Sequence, residues 1–436
     1  MSENLYWVWL SQRCAYNSGS LDLLLRTYQS PRQIYNAKEA DIAGIVGIHP
    51  ADVYRLQDKD LSDAQRIMDF CMMTDVGILA YDDPAYPARL RMLPDPPPVL
   101  YYKGRLPSFD GKLAISVVGT RKMSAYGKRM AFEIAYDLSR AGATVITGMA
   151  LGNDGVASAA AVHAGGVSVA ILGSGIDIIY PREHQYLMHG ITKNGVVMTE
   201  FAPGTPPDGK NFPRRNRIIS GMAQGVLVIE GNQRSGALIT ARLAKQQGRD
   251  IYALPGNADE ENSESTTYLL KNGATPVSCA DDIIRVYESL YGNSLNMLNL
   301  LKPVKYNTDR VLSALRVSAR PYFSKYKQYN GETPTKPQRT AKLPQSPKTQ
   351  EEKIKKQLTE MPSNPPATVK ADIEKIEKSL DAKTLSVYKK IPLGRAVTVD
   401  ELCDENLTAS DVITAMTILQ IHRCVVALPG ARYTRA

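Results

Sequence analysis

From Lys112 to about Tyr291, short β-branched runs alternate with amphipathic helical stretches. The runs are Leu113 to Val118, Ala143 to Thr147, Val167 to Leu172, Val196 to Phe201, Val226 to Glu230, Asp250 to Leu254 and Thr275 to Ser278. Between the first two, Met130, Ile134 and Leu138 recur at helical spacing. Strands that alternate with helices need crossover connections. The pattern therefore predicts an α/β core: a Rossmann-like, mostly parallel sheet covered on both faces.

The flanks read differently. Leu5 to about Asp75 is helical in pattern, with polar stretches between apolar clusters. Its Gly44-Ile45-Val46-Gly47-Ile48 turn resembles a helix-hairpin-helix, whose backbone amides can hold a phosphate, but the plainer reading is a tight turn that needs glycine. Tyr81 to Pro107 reads as a connector, because Pro94, Pro96, Pro97 and Pro98 cannot lie inside a helix. Phe323 to Lys370 is rich in Lys, Pro, Gln, Thr and Ser, and buries too little to offset its ordering entropy. After Ser379, apolar periodicity returns through Leu385, Val397, Leu402, Val412 and Leu419, then ends in a hairpin-like Val425 to Gly430. Helices followed by a hairpin outline a winged helix. The expected organisation is a helical (helix-hairpin-helix or SAM-like) domain over 1–80, the Rossmann-like core over 81–292, a basic flexible linker over 293–378 and a winged-helix-like domain over 379–436.

A length of 436 residues, 43% of them hydrophobic, fits several folded units. No apolar run is long enough to cross a bilayer, and Met1 to Tyr16 lacks the pattern of a signal peptide. The five cysteines, Cys14, Cys71, Cys279, Cys403 and Cys424, include no CxxC pair, which supports neither a disulfide framework nor a structural zinc site. A soluble cytoplasmic protein without metal or other cofactor is expected. The net charge of +9 favours polyanionic partners, but a solvated lysine surface gives the same number. What decides is where the cations fall.

They fall on loops. In an open parallel sheet, ligands gather at the carboxyl ends of the strands, where helix N-termini present unpaired amides. Gly119-Thr120-Arg121-Lys122 follows the first run, Gly148 to Gly155 the second, Gly173-Ser174-Gly175 the third, and Gly231-Asn232-Gln233-Arg234-Ser235-Gly236 the fifth. Any one of these glycines serves a turn on its own. Together with Arg121, Lys122 and Arg234 they make an edge that phosphates can approach. The most specific stretch is Gly209 to Gly221, where Lys210, Arg214, Arg215 and Arg217 surround Phe212 just before a helix expected to begin near Arg215. Lysine and arginine neutralise phosphates, and a phenyl ring offers a stacking face to an unpaired base. Phe212 also reads as core packing. Like charges so close together repel unless an anion sits among them.

Other chemistries lack their residues. Gly204 to Lys210 has P-loop spacing, but Asn211 stands where Ser or Thr would ligate magnesium. The first loop is not GxGxxG, and neither HExxH nor GxSxG occurs. His163, His184 and His189 have no ligand spacing, and Asp154, Asp177 and Glu200 read as helix caps or arginine partners.

These pieces resemble the DNA-processing protein A (DprA, or Smf) family. The matching segments are Val118-Gly119-Thr120-Arg121, Tyr126-Gly127, Gly148 to Asp154, Leu172 to Gly175, Ile179-Tyr180-Pro181, Glu200 to Gly204, Asn211 to Gly221, Arg234 to Ala241 and Pro255-Gly256. The resemblance implies a dimer that binds single-stranded DNA, protects incoming strands and loads the RecA recombinase during natural transformation, without enzymatic activity or a membrane. It also implies a DNA-binding set of Gly119, Arg121, Lys210, Phe212, Arg214, Arg215, Arg217, Ser235 and Gly236. Leu151 and Ser158 depart from the family's usual arginine and histidine, and Ser263 to Thr267 departs from its usual Ser-x-Gly-x-Asn.

Two rival readings remain. The same kind of core resembles nucleoside-monophosphate phosphoribohydrolases, which need a glutamate early in the helix after the phosphate loop; Ala237 to Gln247 has no acid. A double-stranded DNA regulator would read through the winged helix, yet Thr408 to Leu419 has no Lys or Arg, and contact with another protein suits that face better.

Overall fold

The computed structural model describes residues 2–14, 19–302, 304–320, 381–392, 397–404, 407–421, 425–428 and 432–435. The chain divides into two compact units, 1–333 and 334–436. The first opens with six helices: α1 (Glu3–Arg13), α2 (Ser20–Thr27), α3 (Pro31–Asn36), α4 (Glu39–Ala43), α5 (Pro50–Leu56) and α6 (Ser62–Met73). The hairpin of β1 (Gly77–Ala80) and β2 (Val99–Gly104) follows, with the short α7 (Ala88–Arg91) between its strands. Then come β3 (Ala114–Val118), α8 (Ala125–Arg140), β4 (Thr144–Thr147), α9 (Asn153–His163), β5 (Ser168–Ile171), α10 (Gln185–Asn194) and β6 (Val196–Thr199). The second half holds α11 (Asn211–Met222), β7 (Gly225–Val228), α12 (Gly236–Gln246), β8 (Asp250–Ala253), α13 (Glu264–Lys271), β9 (Thr275–Pro276), α14 (Ala280–Tyr291) and α15 (Thr308–Ala314).

The nine strands form one sheet in the order β1-β2-β6-β5-β4-β3-β7-β8-β9. From β6 to β9 every neighbouring pair is parallel, and β2 joins β6 antiparallel. Alternate residues of each inner strand enter opposite layers, as a sheet covered on both faces requires. Val117, Val145, Ala170 and Leu227 pack with Phe132 of α8 and Val156 of α9. Val118, Ile146, Ile171 and Val226 pack with Ile218 of α11 and Leu238 of α12. Trp7, Trp9, Leu10 and Leu24 of the leading helices join the first of these layers.

All seven predicted runs are strands. The stretch expected as a connector over Tyr81 to Pro107 is not one throughout, because Val99-Leu100-Tyr101-Tyr102 pairs on both sides within the sheet. Its apolar, aromatic run outweighs the prolines, which end just before it. Residues 293–302 and 304–320, expected as linker, are also built into the first unit. Leu295, Met297, Leu300, Tyr306, Val311 and Val317 pack against the α8 and α9 layer, and Leu312 is buried there. Of the expected linker, 321–378 lies outside the described residues.

In the second unit, α16 (Ala382–Lys390) and α17 (Ala409–Ile421) pack through Val387, Tyr388, Val412, Met416 and Leu419. Beside them, β10 (Val397–Thr398), β12 (Arg432–Arg435) and β11 (Val425–Leu428) form an antiparallel sheet in that order. Asp381 caps α16 by accepting from the amides of Lys383 and Thr384.

Leu227 is fully buried in the central β7. Leu227→Ala is expected to lower stability by about 2–5 kcal/mol. Urea unfolding should show an earlier midpoint at an unchanged slope.

Candidate nucleic-acid interface

The chain runs from β3 through β6 toward one edge of the sheet, then returns to build β7 to β9 on the other side of β3. Loops from both halves therefore meet where the order reverses, the place where a crevice opens at the carboxyl ends of the strands. A cleft of about 630 Å³ lies there, lined by the loops after β3, β4 and β7, by Tyr180, and by faces of α11 and α12.

Its framework is a buried charge pair. Asp154, in the first turn of α9, accepts the amides of Gly119 at 3.3 Å and Gly148 at 3.0 Å, tying the ends of β3 and β4 together. The Arg215 guanidinium, 5% exposed, donates Nη1 to the carbonyls of Gly148 at 2.7 Å and Ile171 at 2.5 Å, tying β4 to β5. Gly148 has no side chain because one would run into that guanidinium. Burial pulls the Arg215 pKa down to about 10, against the attraction of Asp154, so the group stays charged at neutral pH. Burial likewise pushes the Asp154 carboxyl above its ordinary range, and Arg215 works against that shift. Met149, beside them, is a buried non-glycine residue at φ 50°. Such a conformation persists only where its surroundings over-determine it.

Helix N-termini reach this edge, and a protein carboxylate stands at the start of α8. Glu230, at the end of β7, accepts the Ser124 amide at 3.0 Å and also meets the Ser124 hydroxyl, which caps α8. At the start of α9 the Asn153 amide is taken up by the Thr120 carbonyl at 3.2 Å. The start of α12 faces the cleft through Ser235, Gly236 and Ala237, and a side chain on Gly236 would meet nothing within 4 Å. Ser235 caps this helix by accepting from Ala237 at 3.2 Å. The loop before it is pinned from behind: Ser265 donates its hydroxyl to Asn232 at 2.6 Å and its amide to Gly231 at 2.8 Å. The departures at Ser265 and Ser158 thus keep polar work, since the Ser158 and Thr147 hydroxyls lie 2.7 Å apart under the second loop.

The structure brings together Gly119, Arg121, Phe212, Arg215, Ser235 and Gly236 in one lining. It does not bring Lys210, Arg214 and Arg217 there. Helix α11 begins at Asn211 rather than near Arg215, so one helical face carries Phe212, Arg215, Asn216 and Ile219 into the cleft. Arg214 and Arg217 leave on the other side and meet Glu200 at 3.0 and 2.6 Å, where Arg217 also lies 3.5 Å from Asp95. The anion among the arginines is therefore the protein's own. Lys210, just before the helix, is largely exposed and lies 3.5 Å from Asp208.

Phe212 is half-buried, with Arg121 and Arg215 guanidinium carbons 5.3 and 5.7 Å from its ring centre and the Tyr180 ring at 5.4 Å. A side chain on Gly173 would press on this ring at 2.8 Å. One region of the ring is packed, while the residue also lines the cleft. Sequence reasoning missed Asn216 and Tyr180; Asn216 was within reach from its four-residue spacing to Phe212. His184 is a core residue, Nδ1 on the Met149 carbonyl at 3.0 Å and Nε2 accepting the Ser318 amide at 3.1 Å. Among the described residues, no helix is long and apolar enough to cross a membrane.

In this α/β protein the cleft at the sheet reversal gathers cations and an aromatic ring beside the N-terminus of α12. The profile of the DNA recombination-mediator protein A family matches residues 77–288. The chain is 32% identical over 288 residues to Protein Smf of Synechocystis sp., across 65% of this chain and 72% of that protein. It is 34% identical over 248 residues to DNA processing protein DprA of Streptococcus pneumoniae, across 57% of this chain and 86% of that one. The X-ray structure of DNA processing protein A from Streptococcus pneumoniae is similar at a TM-score of 0.57 and 28% identity, covering 65% of this chain and 98% of its own. The chain belongs to the DNA recombination-mediator protein A family.

Glu200 is the sole carboxylate in contact with both Arg214 and Arg217 among the described ion pairs. Glu200→Ala is expected to destabilise the fold by about 3–5 kcal/mol, because it takes from the buried Arg217 its nearest counter-charge. Guanidinium unfolding measures this, and adding Arg217→Met should recover part of the loss.

Proposed function

We propose that this chain binds single-stranded DNA in the cleft and acts as a recombination mediator. In this role it protects incoming strands and loads a RecA-type recombinase during natural transformation, working as a homodimer in the cytoplasm. One observation carries the binding: Arg121 and Lys122 face the cleft without an ion-pair partner among the described residues, beside the open start of α12. Uncompensated cations beside a helix N-terminus attract phosphates. Phe212 in the same cleft gives an unstacked base a surface, which a paired duplex does not offer. Membership of a recombination-mediator family supports the transfer to a recombinase.

Within this reading, Gly119, Arg121, Phe212, Ser235 and Gly236 contact DNA, and Arg215 holds the loops that do so. Lys210 adds charge at the rim, while Arg214 and Arg217 act through the fold. The account is of a binder rather than a phosphoribohydrolase, since α12 carries no Asp or Glu with which to assist cleavage. The helices of 1–80 serve as a domain attached to the Rossmann-like core. The arrangement of α16, α17 and the small sheet supports a winged-helix-like domain over 379–436 that contacts protein.

Binding of a short oligothymidine tests the reading. Arg121→Ala should weaken it and flatten the plot of log K against log salt by about 0.7 per lost phosphate contact. Phe212→Ala should cost about 1–3 kcal/mol of affinity. Unchanged affinity in both folded variants would place the strand elsewhere.

A further inference from the structure

The nine predicted contact residues all fall before residue 237, and the family match ends at 288. The segment that follows comes back to the cleft. After α15 the chain crosses the α9 face and lies against the loop tips in three backbone contacts. Gly152 donates its amide to the Ser318 carbonyl at 2.8 Å, Ser318 donates to His184 Nε2 at 3.1 Å, and Arg320 donates its amide to the Arg121 carbonyl at 2.8 Å. Gly152 sits at φ 82° with the Thr120 carbonyl and Arg121 close against it, so the two loops are fitted to one another.

The consequence is positional. Arg320 lines the main cleft, and it also lines the small adjoining pocket bounded by Arg121, Leu151, Tyr180 and Phe212. It is exposed and has no ion-pair partner among the described residues. Leu151 leaves that pocket without a charge of its own from the second loop.

We propose that Arg320 is a phosphate-binding residue of the nucleic-acid cleft, placed there by the 315–320 segment bonded across the Arg121 and Gly152 loops. This rests on the reading of the cleft as a single-strand site. Three cations, Arg121, Lys122 and Arg320, then border one cleft from two separate parts of the chain. A backbone phosphate between them is neutralised from two sides while the neighbouring base reaches Phe212. His184 is a positioning residue in this scheme, because its Nε2 accepts the amide two residues before Arg320.

The test uses full-length protein and a fluorescent oligothymidine over a salt series. Arg320→Ala should weaken binding on the order of tenfold. It should also reduce the magnitude of the salt slope by about 0.7. Arg320→Lys should restore most of the slope, and Arg310→Ala, an exposed change on α15, should leave it unaltered. Ser318→Pro removes the amide that His184 accepts; on that background, Arg320→Ala should have little further effect. If the parent binds and Arg320→Ala keeps its affinity and slope, the assignment of Arg320 is overturned. If Arg320→Lys behaves like Arg320→Ala, or Ser318→Pro leaves the Arg320→Ala loss undiminished, charge or placement by the segment is refuted respectively. Failure of the parent itself to bind would instead refute the reading of the cleft.

Discussion

A guanidinium buried beneath three loops holds this site together. Arg215 bonds to carbonyls at the ends of β4 and β5, and the oppositely charged Asp154 bonds to amides at the ends of β3 and β4. Burying either charge alone would be costly, and each makes the other tolerable. The arrangement fixes the relative height of three strand ends that otherwise share only their sheet bonds. Everything nearer solvent, from the Arg121 loop to the returning 315–320 segment, is seated on that framework.

Helical phase then sorts the cations by function. In a segment with four cations between 210 and 217, α11 turns Phe212 and Arg215 toward the cleft and Arg214 and Arg217 toward Glu200. The charges that remain uncompensated come mainly from loops: Arg121 and Lys122 on one side, Arg320 on the other. Neutralisation within the core and neutralisation by a ligand are thus kept on opposite sides of one helix. Under the proposed function, a flexible polyanion would meet only the second set, beside the N-terminus of α12 and within reach of an aromatic face.

The sequence made the core legible because its strands are buried on both faces and its helices separate them at regular intervals. Val99 to Gly104 escaped notice since a proline cluster runs up to it, and pairing with β1 and β6 gives it a place. Six of nine expected contact residues share the cleft; five are loop or first-turn residues whose place follows from topology, and Arg215 is placed there by the phase of α11. Arg217 misled because a helix starting four residues earlier than expected rotates it inward, and because its partner Glu200 is distant along the chain. Arg320 carried no local signal: it follows a segment with too little periodicity to be read as structure, and contacts across nearly two hundred residues bring it back.

The central claim is that loop cations at the carboxyl edge of the sheet exist to neutralise the phosphates of an unpaired strand. Equilibrium binding of the intact protein to oligothymidine, measured from dilute to moderate salt, tests it most directly. The account predicts affinity that falls linearly on logarithmic axes, with a slope near −2 for about three phosphate contacts. A flat plot, or no association in the most dilute buffer, would contradict it.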